Sequence, residues 1–312
     1  MTVTFNRPDI IRPPSEHASY YLPLTSGCSN NSCTFCMSYG VKLQIRDLPD
    51  VKKEIDALAL FRQHEVRLPG IPDIVYYIAR EWDGRHVFLQ DGDALVYPFP
   101  RLKEALQYLQ QKLPEVDRVA SYATAGDILR LSVDQLKELK DLNLTLLFMG
   151  VESGDPEILK NIRKNATPDE LIAAGRRAKE AGITISVTVI LGLGSIAHSE
   201  RHALATAKVL TGIDPDFAGA LTLTLVPGTP LYDQWQKGEF TLIDPFQSLA
   251  ELKIILENSS FTNCFFSSMH ASNYLSVRGT LPADKTKMLR QIEQALSQHD
   301  PNQLRPEYLR GL

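Results

Sequence analysis

Three of the four cysteines in the chain stand in one polar stretch, TSGCSNNSCTFCMSYG, as Cys28, Cys33 and Cys36. Thiolates bind soft and borderline metals, so three of them spaced C-x-x-x-x-C-x-x-C can close around a metal ion or an iron–sulfur cluster. An odd number cannot pair off as disulfides. Both kinds of metal site ordinarily want four ligands. For structural zinc the sequence offers little to complete the set. Cys264 is the remaining cysteine, and the nearest histidine pair, His198 and His202, stands at i and i+4 at the start of a polar helical stretch with no third partner. These two histidines are expected on the surface. The other solution is a 4Fe–4S cluster held by three cysteines, with one iron left open to a small ligand.

The elements that must position this loop are legible from periodicity. SYYLPLTS runs into the cysteines, and further apolar runs follow as HVFLQDGD, RVASYAT, LTLLFMGVESG, ITISVTVILGLG and FAGALTLTLVPGTP. Each is rich in Val, Ile, Leu, Phe and Thr without polar alternation, as parallel strands covered on both faces should be. Helical patterns lie between them. Ser132 and Gln135 form a capping box, and Thr167, Pro168 and Glu170 make a helix start. Strand–helix alternation repeated about six times argues for a parallel barrel or a doubly wound sheet. The rhythm breaks near Phe240. The expected organisation is an amino-terminal extension over 1–19, a core over 20–238, and a helical and irregular extension over 239–312 that covers the barrel mouth.

Composition narrows the classes of function. With 44 % hydrophobic and 22 % charged residues, the 312-residue chain is expected to form a compact core. Its net charge of −4 provides no footprint for a nucleic-acid backbone or an anionic membrane. The amino terminus lacks an apolar leader, no apolar run reaches about 20 residues, and clustered cysteines suit a reducing compartment. A cytoplasmic location is expected, with no membrane partner and nucleic acid unlikely as a partner.

The cysteine loop directly follows the first strand and places Phe35 before its last cysteine, in CTFC. It resembles the radical S-adenosylmethionine superfamily. The resemblance implies a partial (β/α)6 TIM-like barrel, an α/β fold, with a 4Fe–4S cluster on Cys28, Cys33 and Cys36. It also implies S-adenosylmethionine on the open iron, and an electron donor such as flavodoxin or ferredoxin. In that family, reductive cleavage of the sulfonium releases a 5′-deoxyadenosyl radical that abstracts a substrate hydrogen. The commonest family spacing has three residues in the first gap, whereas four separate Cys28 from Cys33. That places the chain outside the most populated subfamilies.

Other strand ends extend the likeness, which covers about Tyr20 to Tyr232. Asp91, Gly92 and Asp93 stand where the family binds the methionine amino group. A carboxylate suits an ammonium ion, and glycine permits close approach, although Asp-Gly is also a common turn. GVES, with Glu152 and Ser153, is similar to the fourth-strand segment of the branch containing oxygen-independent coproporphyrinogen oxidases. There the resemblance implies contact with the ribose and carboxylate of S-adenosylmethionine, while Ser153 or Asp155 could equally cap the next helix. Ile190 and Gly192 would pack on the adenine, and Leu225 and Val226, ahead of PGTP, would offer backbone to its edge. Barrel sites are built at these carboxyl ends, where the loops converge.

The expected activity is radical chemistry on a small organic substrate. Catalytic or substrate-facing candidates lie in the tail: His270, Asn273, Arg278 as an anion clamp, and Cys264. Tyr39, Lys42 and Arg46 could line the same mouth or the surface. A noncatalytic zinc, iron–sulfur or electron-transfer protein, and a radical enzyme acting on nucleic acid, are the alternatives. The strand-end acids argue against the first and the net charge against the second. Reconstitution of Cys33→Ala with iron and sulfide should give no 4Fe–4S complement, read as iron and acid-labile sulfide per chain. A full complement in that variant would contradict the reading of the loop.

Overall fold

The computed structural model describes residues 5–311. Its strands are β1 (Tyr20–Pro23), β2 (Thr25–Ser26), β3 (Gln44–Ile45), β4 (His86–Gln90), β5 (Arg118–Tyr122), β6 (Leu144–Glu152), β7 (Thr184–Leu191), β8 (Phe217–Thr222), β9 (Cys264–Ser267) and β10 (Arg278–Leu281). Eight of the ten belong to a mostly parallel sheet, and β2 and β3 form a small antiparallel ladder. Helices fill the intervals between the parallel strands, so the class is α/β, as the alternation requires.

The described residues divide into two compact units, the first made of 5–31, 40–148 and 177–184, and the second of 32–39, 149–176 and 185–311. In the first, β1 pairs parallel with β4, β4 with β5 and β5 with β6, Phe88 lying opposite Ala120 and Tyr122 opposite Phe148. Phe88, Tyr122 and Phe148 meet edge to face, their centroids 5.2 to 6.1 Å apart. Val87 and Leu89 are buried, and so are Leu102, Ala105, Leu106 and Leu109 on the helix Phe99–Lys112, as expected for a strand covered on both faces. In the second unit, β7 pairs parallel with β8 and β8 with β9, while β9 and β10 run antiparallel.

Helix starts follow the sequence. Ser132 and Gln135 form the expected capping box before Val133–Asp141. Thr167 and Glu170 exchange the same pair of bonds before Pro168–Glu180, Thr167 N–H reaching Glu170 Oε2 at 2.8 Å and Glu170 N–H reaching Thr167 Oγ1 at 3.2 Å. The tail is more regular than its sequence suggests. Beyond its helices Pro245–Asn258 and Lys285–Gln298 it supplies β9 and β10, so its polar and aromatic residues alternate between buried and exposed positions. No helix among the described residues is long and apolar enough to cross a membrane.

Candidate active site

At three strand ends the last residue, or the one just after it, turns the backbone into the left-handed region. Asp91 follows β4 with φ +84°, Glu152 ends β6 with φ +61°, and Gly192 follows β7 with φ +89°. Glycine takes this conformation freely, whereas the two acids are held there against the preference of an L-residue. These are also strand ends at which the sequence motifs fall.

In the first unit, the turn after β4 grips the start of the cysteine loop. One carboxylate oxygen of Asp91 accepts the Gly27 N–H and the other accepts its own neighbour's, Gly92 N–H, at 2.7 Å. Gly27 itself has φ +87°, and a Cβ on Gly92 would lie 2.9 Å from Cys28 Cβ, so only glycine admits the loop this closely. The Ser29 hydroxyl lies within hydrogen-bond distance of both Asp93 Oδ2 and Asp127 Oδ2, the latter at 2.9 Å. Thr124 donates to Asp127 Oδ2 at 2.6 Å. Burial, and then the neighbouring Asp127, push the Asp93 carboxyl well above the ordinary range. Burial also raises Asp91, against the two backbone bonds that favour its charge. Asp93 Oδ1 is buried with no hydrogen-bond partner among the described residues.

In the second unit, Cys33 is buried and Cys36 half-buried. The Cys36 N–H reaches Cys33 O at 3.2 Å, and the Ser38 N–H points at Cys36 Sγ at 3.4 Å. Thr34 fixes the loop through its own backbone, its N–H on Ile162 O and its carbonyl accepting Leu231 N–H, both at 3.0 Å. The PGTP segment therefore reaches the cysteine loop through Leu231, two residues beyond Thr229, which caps the helix Pro230–Gln236. Glu152 pairs with Lys164 at 2.9 Å, both side chains largely buried. Burial pushes the Cys33 thiol up to about 11, against the attraction of Lys164 and with added repulsion from Glu152 and Cys36.

Behind Glu152 lies a buried polar chain. His202 is fully buried, not at the surface as its sequence context suggests. Its Nε2–H donates to Ile190 O at 3.0 Å, which leaves Nδ1 to accept the Ser153 hydroxyl at 2.9 Å. Ser153 Oγ accepts the Asp155 N–H in turn, and Asp155 caps Pro156–Asn161. The hydroxyl expected to face the cofactor is thus engaged in joining two strand ends. His198, by contrast, is exposed.

The remaining expected residues divide in the same way. Phe35, Leu225 and Val226 are half-buried and Ile190 is 9 % exposed, while the Val226 carbonyl is taken up by the Thr229 hydroxyl and N–H. Asn273 is buried, its amide donating to Ala220 O and Ser268 O and its carbonyl accepting from Thr222. His270 bonds Ser272, Cys264 is fully buried on β9, and Arg278 is exposed on β10. Tyr39 is half-buried and Lys42 exposed; Arg46 is committed to the buried Glu54 at 2.7 Å. Sequence reading missed Ser29, Asp127, Lys164 and Glu251. The signals were local for three of them, Ser29 directly after Cys28, Asp127 three residues beyond the helix-capping Thr124, and Lys164 soon after the fourth-strand motif; Glu251 had none. Among the described residues no three His, Cys, Asp or Glu side chains are gathered as ligands of a single metal ion.

The fold and these strand ends define an α/β protein with a cysteine loop clasped by carboxylates. Residues 22–206, more than half of the chain, match the Radical SAM superfamily, and the chain belongs to it. The heme chaperone HemW of Bacillus subtilis is 24 % identical over 207 residues, 62 % of this chain and 54 % of that protein. A tRNA-2-methylthio-N(6)-dimethylallyladenosine synthase of Nitrosospira multiformis is 24 % identical over 225 residues, 70 % of this chain and 44 % of the relative. Among solved structures, coproporphyrinogen III oxidase (HemN) from Escherichia coli, a radical SAM enzyme, superposes with a TM-score of 0.51 at 18 % identity, over 77 % of this chain and 51 % of that one. This last likeness is one of fold, the partial barrel that the motifs implied. The chain spans about half the length of these relatives.

The cofactors of the family are a 4Fe–4S cluster and S-adenosylmethionine, and the residues present fit both. The donor set contains thiols, one of them already receiving a backbone N–H, and Gly92 leaves the Cys28 side chain the room that a Cβ would take. The orphaned Asp93 Oδ1 is an acceptor that an ammonium group would satisfy.

Burial holds His202 neutral, its pKa lowered to about 4. An unfolded histidine titrates near ~6.5. The folded state therefore binds fewer protons, and the stability present above pH 6.5 is lost as pH falls through the window down to about 4, on the order of 3 kcal/mol in all. His202→Gln keeps a donor and an acceptor without the titration. Denaturant unfolding at pH 7 and 4.5 should show a smaller acid loss in the variant than in the wild type. Equal losses would show that His202 carries none of the acid sensitivity.

Proposed function

We propose that this protein is a radical S-adenosylmethionine enzyme that acts on a small organic substrate in the cytoplasm, reduced by an electron donor such as flavodoxin or ferredoxin. The observation that carries the reading is the coincidence of the family motifs with strand ends whose acids hold a left-handed turn, Asp91 and Glu152. Strain of this kind is kept where the surrounding structure over-determines it, and it clusters at functional sites.

Cys28, Cys33 and Cys36 would hold the cluster and Phe35 would shield it. When bound, cluster and S-adenosylmethionine together supply a 5′-deoxyadenosyl radical for hydrogen abstraction. Asp91 orders the loop that carries Cys28, through Gly27 and Gly92. Asp93 offers Oδ1 to the methionine ammonium. Glu152 and Lys164 present one anion and one cation, suited to a zwitterionic ligand. Ser153 keeps the turn after β6 in register through His202. Ile190 and Gly192 would receive the adenine, with Leu225 and Val226 at its edge. The core over 20–238 would perform this chemistry and the extension over 239–312 would shape the substrate side, with His270 its remaining polar candidate.

A nucleic-acid substrate is the second reading, favoured by the tRNA-modifying relative and opposed by the net charge of −4. Salt-dependent RNA binding separates the two. The enzyme reading is tested with anaerobically reconstituted, dithionite-reduced protein and S-adenosylmethionine. The wild type should release 5′-deoxyadenosine, and Glu152→Ala should retain its cluster while releasing at least about tenfold less at limiting S-adenosylmethionine, the loss of one charge-assisted contact. Cluster-loaded wild type that releases none would sink it.

A further inference from the structure

The helix Pro245–Asn258 lies outside the residues that match the family, yet it sends a carboxylate into the core of the second unit. The Glu251 side chain is fully buried. Its Oε2 accepts the Gly192 N–H at 2.7 Å and its Oε1 accepts the Ser199 hydroxyl at 2.6 Å. The turn after β7 is therefore held at both ends, the Ile190 carbonyl by His202 and the Gly192 N–H by Glu251. A Cβ on Gly192 would lie 3.0 Å from Ile243, just ahead of the same helix, so the tail also closes on the turn sterically.

Neither donor requires an acid. A hydroxyl or amide oxygen would satisfy one N–H at a much smaller desolvation cost than a buried carboxylate. A single carboxylate can take two donors at once through charge-assisted bonds, one from the turn and one from the first residue of the helix Ser199–Ile213. The arrangement makes sense as a clamp on the turn.

We propose that Glu251 is a positioning residue for S-adenosylmethionine, fixing the Ile190–Gly192 turn in the conformation that receives the adenosyl group. This rests on the reading of that turn as part of the cofactor site. Ionised, Glu251 accepts both donors through charge-assisted bonds; protonated, it keeps one neutral acceptor for the Gly192 N–H and must turn its O–H toward Ser199. Burial raises its pKa to about 7, against the bonds from Ser199 and Gly192. The titratable side chain facing it is His202, with Nε2 at 3.9 Å from Oε2, and burial holds that imidazole neutral until far more acidic pH. Two opposite trends follow. Cofactor affinity rises as pH passes upward through about 7, while the burial of the charge lowers fold stability as pH rises from 4.5 to about 7.

The test uses the full-length protein. Hydrogen exchange by mass spectrometry over 190–199 should be about tenfold faster in Glu251→Gln, which has one acceptor oxygen in place of two. Equilibrium dialysis of S-adenosylmethionine against unreduced, cluster-loaded protein should show wild-type affinity falling severalfold from pH 8 to pH 6. The affinity of Glu251→Gln should be about tenfold lower at pH 8 and should change less than that of the wild type between pH 8 and pH 6. Ile190→Ala separates the two layers of the argument. If Ile190→Ala weakens binding and Glu251→Gln does not, the Glu251 assignment is wrong and the cofactor reading stands. If neither weakens it, the reading of the turn is wrong and the assignment goes with it. Should Glu251→Gln fail to fold, a flat wild-type profile between pH 8 and 6 would overturn the proposal by itself.

Discussion

A glycine-rich turn at the end of a parallel strand has no intrinsic reason to keep one conformation, because its N–H groups have left the ladder and water can satisfy them in many ways. Here the constraint comes from buried carboxylates. Asp91 takes the N–H groups of Gly27 and Gly92, and Glu251 takes that of Gly192. The bonds to Gly27 and Gly192 join an acid on one element to backbone on another, which turns a flexible loop into a fixed surface. Glu152 differs in kind. It is itself the left-handed residue, and its carboxylate is matched by Lys164 instead of by backbone.

Burying these acids has a cost that shows in their ionisation. Asp91, Asp93 and Glu251 are all raised above their ordinary range, with burial the largest cause in each. The backbone N–H groups that Asp91 and Glu251 accept offset part of that cost, since an apolar side chain would leave those donors unpaired. That pattern is expected where a protein holds strained or polar groups for binding. The aromatic trio of Phe88, Tyr122 and Phe148, and the covering rows of Leu and Val, supply the packing that carries the cost.

What could be seen in the sequence was what is local. The cysteine spacing, the acid-glycine turn after HVFLQ and the capping signals before Val133 and Pro168 each fall within a few residues, and the structure has those helix starts. His202 and Glu251 could not be read, because their roles depend on packing across long separations. His202 lies on a helix whose flanking residues are polar, and only the approach of Ser153 and Ile190 makes it a buried bridge. The strands Cys264–Ser267 and Arg278–Leu281 are four residues each, too short for a periodic signal. Their existence depends on β8 as a template for pairing. Asn273 was expected to face a substrate, and it instead binds β8 to the tail through Ala220 and Thr222.

The central claim is that this chain brings three thiols to a cluster that S-adenosylmethionine can reach. The most direct measurement is the electron paramagnetic resonance spectrum of the anaerobically reconstituted, reduced protein, recorded with and without S-adenosylmethionine. The account predicts a reduced 4Fe–4S signal whose shape and g-values change when S-adenosylmethionine is added. A protein that assembles no cluster, or one whose signal is indifferent to S-adenosylmethionine, would contradict it.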